Sequence, residues 1–150
     1  MNTVQAEYEK DFYSWIYRNI NLLRQHNFEA LDIDILIDEL ESMAKGDRRK
    51  LISHLMVLIS HLLKWQFQPE QRSGSWRGSI RKQRIQIRKQ LEDSPSLKNQ
   101  LVTGINSAYP DSLKLAIEET GLKADTFPDE CPYSITQLLN DDFYPQSGKV

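Results

Sequence analysis

The chain has 150 residues, a net charge of −2 and a single cysteine, Cys131. A chain of this length buries about 68 to 70% of the surface its unfolded form exposes, so it needs no metal or disulfide staple, and one cysteine excludes an internal disulfide. The longest near-apolar stretch, Leu51 to Leu63, carries Ser53, His54, Ser60 and His61 and falls well short of the ~20 residues that span a bilayer; with no signal-like run at the start, a single cytoplasmic domain is expected.

Tyr8, Phe12, Trp15, Ile16, Asn19 and Leu23 recur at spacings of three and four, which predicts a first helix from about Val4 to Gln25. Asp32 is the expected N-cap of the next helix. At 100° per residue, Ile33, Leu36, Ile37, Leu40, Met43, Leu51, Leu55, Leu58, Leu62 and Trp65 stay on one broad face. The pattern predicts one long helix from about Ile33 to Phe67, with Gly46 tolerated or bending it. Between Leu51 and Leu63 apolar residues also occupy the flanks, which places that half near the centre of a bundle.

Pro69 ends the long helix, and Ser75 is the expected cap of a third, about Trp76 to Glu92, with Trp76, Ile80, Gln83, Ile87 and Leu91 as its buried stripe. Ser94 and Pro95 open a further helix that Pro110 should kink or divide and Gly121 should close. The chain then turns irregular and acidic, Ser134 caps a short helix of about Ile135 to Asn140, and the end from Tyr144 should fray. The expected architecture is all-α, a small bundle of four to five helices around a long central helix, with an irregular acidic C-terminal segment.

The near-neutral total hides a local excess. From Gln71 to Gln90 there are seven basic residues and no acidic one, while the remainder carries 12 basic against 21 acidic residues. Arg77, Arg81, Lys82, Arg84, Arg88 and Lys89 project from the third helix and Arg72 precedes it. Such clustering is the electrostatic footprint of a nucleic-acid binder, and Ile85, lying among these charges, suggests a covered face. The alternatives are a cover supplied by this chain, a merely solvated face, a protein partner or nucleic acid. The segment from Ala124 to Gly148 has Asp125, Asp129, Glu130, Asp141 and Asp142 and no basic residue, and Asp34, Asp38, Glu39 and Glu41 form a second acidic surface.

His54 and His61 are the other candidates for chemistry. Seven residues apart, they share a helix face but sit ~10.5 Å apart along the axis, too far to ligate one ion without help from other helices. None of the three histidines follows a Glu at the spacing used by helical di-metal sites, which speaks against such a centre in the carboxylate-rich stretch from Asp32 to Asp47. Glycine-rich phosphate loops, nucleophile elbows and zinc-protease motifs are absent. Cys131, between Glu130 and Pro132, should have little thiolate character. Trp15, Trp65 and Trp76 all fall on apolar stripes and are expected in the core.

The runs YEKDFYSWIYRNINLLR from Tyr8, LIDELESMAKGDRRKLISHLMVLISHLLKWQF from Leu36 with its continuation to Leu97, and EETGLKADTFPDECPYSITQLLNDDFYP from Glu118 resemble the domain of unknown function 29 family. The resemblance implies a bacterial, especially cyanobacterial, helical protein with no established activity, substrate or cofactor, and an uninterrupted helix where this chain has Pro110. The expected function is a non-enzymatic protein-interaction module using Lys64, Arg72, Arg77, Arg81, Arg84, Ile85 and Arg88. Nucleic-acid binding through the same face is the first alternative. The second is an enzyme or metalloprotein using His54 and His61 with Glu39 or Glu41. No catalytic residue, cofactor or membrane partner is expected.

Overall fold

The computed structural model describes residues 3–148, with side chains from Glu7 onward, and every regular element among them is helical. The α-helices are α1 (Thr3–Lys10), α2 (Phe12–Arg24), α3 (Ile33–Phe67), α4 (Gly74–Asp93), α5 (Leu101–Thr120) and α6 (Ile135–Leu139), joined by short 3-10 turns. The chain clusters into two units, Met1–Lys45 and Gly46–Val150.

In the first unit the predicted single helix is two. Asp11 adopts φ −144° and ψ 77°, and its carboxylate accepts from the Ser14 N–H, so it caps α2 instead of continuing α1. Aspartate competes for backbone hydrogen bonds in this way because its side chain is short and ionised. α2 closes where His26 takes a left-handed conformation, φ 58°. The His26 N–H reaches the Leu23 carbonyl and the Asn27 N–H the Leu22 carbonyl, the Schellman pattern that usually places glycine at this position. Asp32 accepts from the Ile35 N–H at 3.4 Å, as expected of the cap of α3.

α3 has the predicted limits and runs through Gly46 without a break. A Cβ built on Gly46 meets nothing within 4 Å. Gly46→Ala is therefore expected to stabilise the protein by about 1 kcal/mol, the difference in helix propensity, which a urea titration reads as a higher midpoint at unchanged slope.

The core of the second unit is built on α3 from Leu51 onward. Leu51, Leu55, Leu58, Ile59, Leu62 and Leu63 are fully buried, with Ile80 and Ile87 from α4 and Ala108 and Ala116 from α5 in the same cluster. Gly104 lets α5 approach α3: a Cβ there would stand 3.4 Å from Leu55 Cδ1.

Three boundaries differ from expectation. Ser73, not Ser75, caps α4, accepting from the Trp76 N–H with extended backbone, so that Gly74 and Ser75 become helical. Pro95–Gln100 forms a 3-10 turn and α5 starts only at Leu101. α5 then passes through Pro110 undivided and ends at Gly121, whose φ of 71° supplies the left-handed cap. α6 starts with the predicted Ser134 cap, completed by the Gln137 side chain into a capping box.

The segment from Tyr144, predicted to fray, is held as far as it is described; residues 149 and 150 lie outside. Tyr144 packs on Trp65 at 4.8 Å between ring centroids, and Pro145 is buried. Gly148 donates to the Gln66 carbonyl, while the Gln66 side chain donates to the Gly148 carbonyl. An aromatic anchor and a reciprocal amide pair offset the entropy of ordering that a sequence without periodicity leaves unopposed.

Candidate functional site

Six charged residues of the predicted basic surface, Lys64, Arg72, Arg77, Arg81, Arg84 and Arg88, have partners within the second unit. Lys64 is only 4% exposed, ion-paired with Glu119 and placed 5.1 Å from the centroid of the Trp76 ring. Arg72 donates to the Trp65 carbonyl at 2.8 Å and to the Ser147 hydroxyl at 2.9 Å, with its guanidinium over the Trp65 ring. Arg77 stacks on both Trp65 and Tyr144. Arg81 and Arg88 converge on the Asp141 carboxylate at 3.5 and 2.6 Å. Ile85 is half-buried. The acidic segment after α5 thus covers part of α4, which is the intramolecular reading of the charge pattern.

Arg84 departs furthest from expectation. Assigned to the exposed basic face, it is 1% exposed and takes the place in the stripe predicted for Gln83. Its Nε donates to the Leu138 carbonyl at 2.8 Å, Nη2 to Gln137 at 3.2 Å and Nη1 to Asp141 at 3.4 Å. These carbonyls lie in and just beyond the last turn of α6, where a helix presents unpaired acceptors and partial negative charge. The guanidinium fits because its planar fork carries five donors. Burial pulls its pKa below the ordinary arginine value.

The histidines are individually committed. His54 Nδ1 pairs with Gln83 Oε1 at 2.7 Å, which explains why Gln83 is half-buried and not core. His61 Nδ1 donates to the Val57 carbonyl at 2.9 Å, within its own helix. Among the described residues no group of three His, Cys, Asp or Glu side chains is placed to hold a metal ion. Cys131 is half-buried, and burial pushes its thiol up, away from the thiolate.

Burial also lowers the His61 pKa below its ordinary 6.5. The unfolded chain therefore takes up the proton first, and stability falls as the pH drops through and below about 6.5 towards the folded-state value. Equilibrium unfolding at a series of pH values is expected to show this loss, and His61→Gln to flatten that part of the curve. Equal slopes for the two proteins would remove His61 as its source.

A second surface lies wholly in the first unit, and sequence reasoning marked its residues without recognising their state. Phe12, Trp15, Ile16 and Leu23 of α2 line one wall of an apolar groove of about 460 Å³, and Leu36, Leu40 and Met43 of α3 the other. The broad face of α3 is buried from Leu51 onward but open here: Leu40 is 62% and Met43 67% exposed. Phe12, Leu23, Ile33 and Ile37 are exposed as well. Helical spacing identifies an apolar stripe, not whether anything covers it.

Tyr8, Phe12 and Trp15 form an aromatic cluster at the groove, with centroids 5.0 to 5.8 Å apart. The Tyr8 hydroxyl donates to the Glu39 carboxylate, and this bond, followed by desolvation, raises the phenol's pKa. Trp15 and Asn19 line the groove yet are almost fully buried, and Trp15 Nε1 and Asn19 Oδ1 have no hydrogen-bond partner among the described residues. Asn19 uses its Nδ2 to donate to the Trp15 carbonyl at 2.8 Å.

The described elements are those of an all-α protein with one long helix, α3. The chain belongs to the family described as Domain of unknown function DUF29, whose model matches residues 7–144. No curated protein and no solved structure matches it. Among the described residues no helix is long and apolar enough to cross a membrane.

Proposed function

We propose that this chain is a non-enzymatic protein-interaction module whose contact surface is the α2–α3 groove. One observation carries the reading. Of the ten large apolar side chains that are exposed among the described residues, nine lie between Phe12 and Met43, and the tenth is Val102. Scattered exposed apolar residues need no explanation, whereas a concentration on one unit marks an interaction surface. The basic helix, expected to carry the contact, is a weaker candidate because Arg72, Arg77, Arg81, Arg84 and Arg88 are engaged within the chain. The same engagement weakens nucleic-acid binding through those arginines. Lys82 and Lys89 are the exposed cations of α4 that best represent what the basic face still offers.

Affinity capture with three folded proteins tests this: the wild type, Leu40→Gln with Met43→Gln, and Lys82→Glu with Lys89→Glu. The groove variant is expected to lose partners that the other two retain. Identical partner sets from all three would overturn the groove reading, and losses confined to the lysine variant would return the contact to α4.

A further inference from the structure

We infer that residues 143–148 are an autoinhibitory strap, seated on a docking surface that accepts in their place a partner protein's segment of the form Tyr-Pro-x-acidic. The surface is separate from the α2–α3 groove and lies wholly within the second unit. What it recognises is shown by what sits on it. Trp65 meets the Tyr144 ring at 4.8 Å between centroids, and Gln66 offers both a donor and an acceptor to the backbone of Gly148. Arg72 donates to the Ser147 hydroxyl at 2.9 Å, and the Arg77 guanidinium stands over the Trp65 and Tyr144 rings. Proline-containing segments docked on aromatic side chains are a recurrent mode of peptide recognition, and here the chain fills such a surface with its own residues.

The seat is incompletely filled. The apolar hold consists of Phe143, Tyr144 and Pro145. Among the described residues three hydrogen bonds reach from Tyr144–Gly148 back to the helices and the loop after α3: the Gly148 N–H to Gln66 at 3.0 Å, the Gln66 amide to Gly148 at 2.8 Å, and Arg72 to Ser147. A cleft of about 630 Å³ remains, lined by Gln66, Tyr133 and Gln137 together with Tyr144, Pro145 and Ser147. Close-packed interiors leave few voids larger than a water molecule. Gln146, Ser147 and Gly148 are exposed. Few long-range bonds, an unfilled cleft and exposed backbone mark a segment that opens at a free energy well below that of global unfolding.

Charge selects the occupant that displaces the strap. The Arg72 and Arg77 guanidinium groups lie 4.9 and 5.0 Å from the centroid of the Trp65 ring. Among the described residues neither has a carboxylate within ion-pairing distance. The strap answers these two cations with one neutral hydroxyl. A carboxylate two positions after the proline accepts from an arginine fork through both oxygens and neutralises it, which a hydroxyl cannot do. The strap is thus a weaker ligand for its own surface than a partner segment with Asp or Glu at that position.

The test uses the full chain and three labelled peptides: Phe-Tyr-Pro-Gln-Ser-Gly, which copies residues 143–148, and versions with Glu or Lys in place of the serine. A tethered segment acts at an effective concentration on the order of millimolar, so the copy is expected to bind the wild type weakly. Tyr144→Ser loosens the strap within the full chain and is expected to tighten binding of the copy at least ~10-fold, the scale of removing an aromatic anchor from its competitor. In that variant the affinities are expected to fall in the order Glu, Ser, Lys, with a spread that narrows as salt rises. Adding Arg72→Gln and Arg77→Gln is expected to erase the order. Hydrogen exchange of the wild type adds a readout that needs no variant: the Gly148 amide is expected to exchange through a local opening while those of Leu58 and Ile59 stay protected.

Equal binding of the copy to the wild type and to Tyr144→Ser, no binding to that variant, or no preference for the Glu peptide over the Lys peptide overturns the inference. So does exchange of the Gly148 amide only through global unfolding. A dimer of the wild type that Tyr144→Ser abolishes would assign the surface to a second copy and overturn it as well. The groove reading stands or falls separately, on the Leu40 and Met43 variant.

Discussion

Replacing Arg84 by methionine is expected to lower the unfolding free energy by about 1–3 kcal/mol, the scale of leaving buried acceptors without their donor. The methionine fills much of the space but donates nothing, so the carbonyls of Gln137, Leu138 and Asp141 lose their shared donor, and only that of Gln137 keeps another, the Asn140 N–H. Arg84→Lys retains the charge but presents a point ammonium where three acceptors are read by a fork, so a smaller loss is expected. Urea unfolding gives the free energies. Limited proteolysis adds a local readout, because cleavage of Arg84→Met is expected to begin between residues 125 and 148, the segment this side chain helps to hold. A loss under ~1 kcal/mol with an unchanged cleavage pattern would mean that the guanidinium is dispensable.

The second large effect is expected at the contact of α3 with α5. Leu55 is fully buried, and Leu55→Ala should cost about 2.7–5 kcal/mol through lost apolar transfer and the cavity left behind. Gly104→Val alone should also destabilise, since a Cβ there would already touch Leu55 Cδ1 at 3.4 Å and Ile52 Cγ1 at 3.7 Å before the two methyl groups are added. Combined, the two changes roughly conserve volume. The double variant is expected to be more stable than the sum of the single losses implies, by at least ~1 kcal/mol of coupling. Additive losses would show that the two positions do not share that space.

These two sites differ in how far the sequence discloses them. The limits of α3 are legible because chemistry marks both ends: an aspartate that can cap and a proline that cannot continue. Gly121 and Ser134 are legible for the same reason. Asp11 was not, because an acidic residue early in a helical pattern also suits the helix dipole, and only the competition between the two roles decides. Two serines could cap α4, and the choice of Ser73 depends on where the loop from Pro69 delivers the chain.

Arg84 stands four residues after Ile80 and three before Ile87, on the buried stripe by spacing alone. Its charge argued the other way. Long-range carbonyls from residues 53 to 57 positions later reconcile the two, and no local pattern reveals them. The groove shows the converse. The spacing of Leu36, Leu40 and Met43 is as regular as that of Leu51, Leu55 and Leu58, yet only the second set has neighbours that bury it. Periodicity reports what a face requires, and the rest of the molecule determines whether the requirement is met.

The reciprocal hydrogen bonds between Gln66 and Gly148 join residues 82 positions apart. Synthesis proceeds from the amino end, so α3 and α4 leave the ribosome long before the segment that covers Trp65 and receives Arg84. During that interval a strongly apolar helix and an arginine destined for the interior wait without their final neighbours. Such contacts of high sequence separation form late and leave nascent intermediates exposed to aggregation. Folding of residues 46–148 is thus a matter of timing as much as of composition, and slowing translation between α5 and α6 would lengthen the period in which the chain depends on chaperones.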